Sequence, residues 1–137
     1  MVSVRPADVL TRRRDLVLAG DADGFADLFA PDAVIEMPFT GRPGAPLRLE
    51  GREAIHQYAQ NMMASPMRIE EFDVTALHET QDPEVVVVEM STKGTVAANG
   101  RPFSAVSVQI LRIRDGRITL FRAFADPRAI PEVTEQA

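Results

Sequence analysis

Cysteine is absent from this chain. Disulfides, thiolate metal sites and cysteine nucleophiles are thereby excluded, and a disulfide-free chain suits a reducing compartment. Tryptophan is absent too, tyrosine occurs only as Tyr58, and the histidines are His56 and His78 alone. Two scattered imidazoles without a thiol give no metal-ligand cluster, so no metal is expected. No glycine-rich phosphate loop or dinucleotide fingerprint occurs, so no cofactor is expected. No apolar run approaches the roughly 18 residues needed to cross a bilayer. The opening MVSVRPADVLTRRRDLV lacks the apolar segment of a secretory signal. A cytoplasmic protein, not a membrane one, is the expectation. An excess of basic charge is also missing: 20 acidic against 15 basic side chains leave a net charge of −5. Nucleic acid, which selects a basic face, is not an expected partner; Arg12-Arg13-Arg14 is too short a run to change that.

What is present suits one globular domain over residues 1–137, since single domains cluster near 100–150 residues. Residues from about 128 read as a loose tail. Pro6 suits a first helical turn and Asp8 favours the positive end of a helix dipole. Val9, Leu10, Leu16 and Val17 then recur at helical steps up to a stop at Gly20. Asp21 is placed to cap a second helix, DADGFADLFA, which Pro31 ends. Ala33 to Phe39 reads as a strand, and TGRPGAP behind it as turn. Ile55, Tyr58, Ala59 and Met62 form one stripe of a third helix from Gly51 to about Ala64. Four long strands follow, near 67–79, 84–96, 103–114 and 117–124. They are punctuated by Gln81-Asp82-Pro83, Asn99-Gly100 and Asp115-Gly116, the last two being strong hairpin signals. Helices first and a hairpin-linked meander afterwards give an α+β fold with the helices on one face of the sheet.

Four segments, LAGDADGFADLFAPDAVIEMP, LEGREAIHQYAQ, VQILRIRDGRITLFRAF and ADPRAI, make the chain resemble the nuclear transport factor 2 superfamily. Within it, the resemblance is to the SnoaL-like polyketide cyclases and ketosteroid isomerases. It implies a cone-shaped barrel of three helices on a strongly curved antiparallel sheet, enclosing an apolar cavity, and a homodimer through the outer sheet face. Ketosteroid isomerases pair a carboxylate base on the first strand with an oxyanion hole of tyrosine and protonated aspartic acid. In this chain the three matching positions hold Met37, Arg13 and Gln109. A thioether accepts no proton at neutral pH, so ordinary ketosteroid isomerase activity is not expected.

The remaining candidates are weighed one by one. Arg13 lies on the inner stripe of the first helix. It can reach the pocket and hold an oxyanion in bidentate fashion, or lay its stem over apolar surface with its head in water. Gln109 can donate to a ligand carbonyl or be satisfied within the core. Tyr58 can orient a ligand or be a core ring with its hydroxyl at the rim. Asp126 resembles an acid or base of related epoxide hydrolases, yet Asp-Pro is also a common turn. Glu36 should point away from Met37 by strand alternation. Glu89 is the other acid within a strand; His56 and His78 are expected to meet water. The candidate catalytic set is Arg13, Gln109 and Asp126. The candidate pocket is Arg13, Met37, Phe39, Tyr58, Met62, Ser107, Gln109 and Phe121, an adaptable lining for a small apolar molecule. The expected function is cyclase, isomerase or hydrolase chemistry on a polyketide-, steroid- or terpenoid-like substrate. The alternative is a binding domain without catalysis.

Overall fold

The computed structural model describes residues 5–126; the tail expected from about residue 128 lies outside them. Helix α1 (Pro6–Ala19) buries Val9, Leu10, Arg13 and Val17, one stripe at three- and four-residue spacing. The Gly20 N–H closes its end on the Leu16 and Val17 carbonyls. Helix α2 (Ala22–Asp27) starts where the Asp21 carboxylate accepts the Gly24 N–H at 2.8 Å. Helix α3 (Arg52–Met63) buries Ile55 and Ala59. Two polar ties hold it in place: the Arg52 guanidinium donates to the Phe29 carbonyl, and His56 meets Asp23 at 2.6 Å. His56, expected in water, therefore links α3 to α2. Among the described residues no helix is long and apolar enough to cross a membrane.

The strands are β1 (Phe29–Arg42), β2 (Ala45–Glu50), β3 (Met67–Glu79), β4 (Val85–Val96), β5 (Pro102–Arg114) and β6 (Arg117–Ala125). They form one sheet in the order β2-β1-β6-β5-β4-β3. The sheet is curved but not closed, with β2 and β3 as edges. Its one parallel pair is β1 with β6; the rest is antiparallel. The hairpin at Asp115-Gly116 has both residues at positive φ, 53° and 77°, the geometry that a two-residue turn requires for strand twist.

Two boundaries depart from expectation. Helix α2 ends at Asp27, and Pro31 lies inside β1. The β1–β6 pairing shifts register between Phe29 and Val34, so Pro31 occupies a gap in the ladder where a missing N–H costs nothing. The stretch read as turn continues into β2, whose Leu47 and Leu49 are half-buried while Arg48 and Glu50 are exposed, a period-two pattern. The core joins Val9, Leu10 and Val17 of α1 to Phe25, Phe29 and Ile35, and to Val88, Met90, Leu111, Ile118 and Phe121 of the sheet. Burying this set supplies most of the drive to fold.

Candidate functional site

The concave face of the sheet is built by alternation. Val86, Val88 and Met90 of β4 face inward, as do Gln109, Leu111 and Ile113 of β5. Arg13 and Gln109 are the only buried polar or charged residues among those described. The helical spacing that buries Val9 and Val17 carries Arg13 inward with them, so the side chain is fully enclosed rather than stretched to water. Its guanidinium carbon stands 5.1 Å from the Phe72 ring centroid and 5.3 Å from that of Phe121. Such contacts each contribute roughly 0.5–2 kcal/mol. Nη2 donates to the Met90 thioether at 3.5 Å, a weak acceptor. Nε and Nη1 have no hydrogen-bond partner among the described residues. Burial pulls the guanidinium pKa down to about 9, which leaves it cationic at neutral pH.

Register places Gln109 beneath this group. Met90 pairs with Ser107, and Phe121 pairs with Leu111. Gln109 lies two residues from each partner on the same face, so it sits on the diagonal between Met90 and Phe121, two of the three side chains that Arg13 touches. Its Oε1 is buried and has no partner among the described residues. Unpaired donors and an unpaired acceptor thus share one apolar interior, where such groups each cost about 1–3 kcal/mol.

The other candidates are dispersed. The Tyr58 hydroxyl donates to Met37 Sδ at 3.8 Å, and burial raises its pKa. Phe39 does not continue the inward row of Ile35 and Met37. The β1–β2 register shifts between Met37 and Gly41, and Phe39 emerges 63% exposed against the Phe124 ring. There it borders a wide cleft of about 800 Å³ together with Ser107, Glu89, Met90 and Asp126. Met62 lies elsewhere, with Val17, Met63 and Met67 around a cavity of about 180 Å³. Glu36 is on the outer face, paired with Arg48 at 2.7 Å and Arg122 at 3.3 Å. Glu89 meets His78 at 2.8 Å, both half exposed.

A cavity of about 300 Å³ does reach Arg13, between α1 and β3. Its walls include Leu10, Phe72, Val74, Leu77 and Met90. Phe72, Val74 and Leu77 escape a reading of the sequence because β3 is bulged between Ile69 and Glu71 and again between Val74 and Ala76. Each bulge exchanges the faces of the strand. The one usable signal was Phe72 itself, a lone aromatic in MRIEEFDV. Chemically, the enclosed site can donate hydrogen bonds to an oxygen and stabilise negative charge there. It has no buried carboxylate or imidazole, among the described residues, to remove a proton.

Comparison with known proteins agrees with this architecture. The chain is 33% identical over 120 residues to an uncharacterised PhzA/B-like protein of Pseudomonas aeruginosa, covering 88% of this chain and 83% of that one. It superposes with a TM-score of 0.86 on a Bacillus subtilis structure provisionally assigned as an isomerase, at 24% identity, covering 96% and 93% of the two chains. IdmH of Streptomyces antibioticus, provisionally assigned as a polyketide cyclase, gives a TM-score of 0.72 at 25% identity, with 96% and 99% covered. The model of the SnoaL-like domain matches residues 10–121, and the chain belongs to that family.

Proposed function

We propose that the interior receives a small, largely apolar molecule, polyketide-, steroid- or terpenoid-like, and polarises one of its oxygens. The carrying observation is Arg13, fully buried with two guanidinium nitrogens unpaired. A buried charge without partners is stabilised by whatever ligand supplies them. Arg13, assisted by Gln109, is the electrophilic group. It lowers the energy of an enolate or alkoxide formed during ring closure or isomerisation. The likeness to a provisionally assigned polyketide cyclase supports that reaction class. Substrate folding against apolar walls contributes by fixing the reacting atoms close together.

One observation favours a second reading, binding without catalysis. The position at which the sequence resemblance would put a base is Met37, and the carboxylates of Glu36 and Glu89 are engaged with arginine and histidine. The test is a thermal-shift screen of apolar small molecules, neutral and anionic, followed by product analysis of each binder. Ligands that bind the native state raise its melting temperature by mass action. Stabilisation with turnover supports the enzyme, and stabilisation with unchanged compound the binder. No stabilisation by any apolar compound overturns both.

A further inference from the structure

This inference rests on the reading of the interior as a ligand chamber, in its binding form, since a carboxylate on Arg13 takes the donors that an enolate would use; it concerns the charge of the ligand and its way in. Among the described residues no buried carboxylate accompanies Arg13, and two of its guanidinium nitrogens have no partner; burial itself acts against the cation. The Phe72 and Phe121 rings lie 5.1 and 5.3 Å from the guanidinium carbon, and the donors left for a ligand are the unpaired Nε and Nη1. A neutral carbonyl would satisfy a donor but leave the charge uncompensated. A dianion would exchange one unpaired buried charge for another of opposite sign. A monoanion alone neutralises the site, and a carboxylate matches the planar fork of an arginine with two oxygens. It is also a far stronger acceptor than the Met90 thioether now opposite Nη2.

The cavity at Arg13 opens to solvent between α1 and β3, past the exposed Ala7, Thr11, Arg14 and Asp73. Val74 and Leu77, two of the large apolar side chains left exposed on this molecule, stand on that rim. The order from inside outward is therefore cation, apolar wall, and a rim where Val74 and Leu77 stand among Thr11, Arg14 and Asp73. We propose that the ligand is an amphiphilic carboxylate of one or two rings that approaches between α1 and β3. It seats its carboxylate on Arg13 and packs its rings along Leu10, Phe72, Val74, Leu77 and Met90. The cavity of about 300 Å³ is at the small end for ligand sites, which suits such a compound.

The test is calorimetric titration of the full chain with benzoate and naphthoate, against the matching amides and alcohols, which keep the ring and lose the charge. Naphthoate should bind at least about tenfold tighter than naphthamide. Arg13→Met should abolish that preference, and Arg13→Lys should retain part of it. Leu77→Asp, at the rim, should weaken naphthoate while leaving the fold intact by circular dichroism. Equal binding of acid and amide by the unmodified chain, or unchanged naphthoate binding by Arg13→Met, overturns the proposal. In those cases the chamber still binds apolar molecules and the broader reading survives. Failure of acids, amides and alcohols alike removes both.

Discussion

Arg13 and Arg122 are the same side chain under opposite conditions. Arg122 lies on the outer face of β6, a third exposed, and donates to Glu36 at 3.3 Å, while Arg48 meets the other oxygen of the same carboxylate at 2.7 Å. Arg13 is on the inner face of the fold with no exposed surface and, among the described residues, no carboxylate partner, and its best acceptor is a thioether. The outer arginine completes its bonding within the chain. The inner one does not, and a chain lacking its ligand bears that deficit as lost stability. The difference shows which charges serve the fold and which serve a molecule from outside.

The strongest way to break this comparison is to remove the inner charge. Arg13→Met keeps an unbranched apolar stem, shorter by the guanidinium carbon and its terminal nitrogens, while abolishing the cation. Urea unfolding of the ligand-free variant should show a gain of about 1–4 kcal/mol, the range found when buried ionic groups become well-packed apolar ones. A loss of stability would mean that Arg13 has a compensating partner. The pH dependence adds an independent check. The folded pKa of Arg13 is lowered to about 9, well below its ordinary value, so between the two the unfolded chain holds more protons. The destabilisation is complete below pH 9 and relieved as pH rises through the folded pKa. The stability gap between Arg13→Met and the unmodified chain should therefore be constant from pH 6 to 8 and shrink at about pH 10.

Gln109→Leu sharpens the same contrast at a smaller scale. It removes the unpaired buried Oε1 and keeps the volume nearly constant. The expected change in unfolding free energy is a gain of up to about 2 kcal/mol, since an unsatisfied polar group costs roughly 1–3 kcal/mol. Destabilisation would show that Gln109 belongs to the core's own bonding. The double variant with Arg13→Met should depart from additivity if the two groups face one site.

Much of this was legible before any coordinates. Helical spacing put Arg13 on a stripe with Leu10 and Val17, and alternation put Gln109 inward and Glu36 outward, because both rules depend on local geometry alone. They failed where the strands are irregular. Phe39 left the inner row at the shift after Met37, and the bulge between Ile69 and Glu71 concealed that Phe72 lies against Arg13. A bulge inserts one residue and inverts every inference of parity beyond it, and nothing in MRIEEFDV announces one. The gap that admits Pro31 to β1 likewise depends on pairing with β6, a partner distant in the chain. Whether Arg13 would be enclosed or would reach water was a tertiary question. The answer lies in Phe72 and Phe121, which arrive from two different strands.

The smallest effect belongs to the outer face, and it bounds the comparison from below. Arg122→Met removes one of two cations from Glu36 and leaves Arg48 in place. Partly exposed ion pairs contribute about 0.2–1 kcal/mol and are screened by salt. The variant should lose no more than that in urea unfolding at low ionic strength, and the loss should fade in about 1 M salt, where the screening length is near 3 Å. Arg13→Met should behave differently on both counts, changing stability with the opposite sign and by an amount that salt leaves largely intact, because the cost at Arg13 comes from burial and not from an exposed ion pair. If the two variants moved together, enclosure would not be what distinguishes the arginines, and the assignment of Arg13 to a ligand would lose its physical basis.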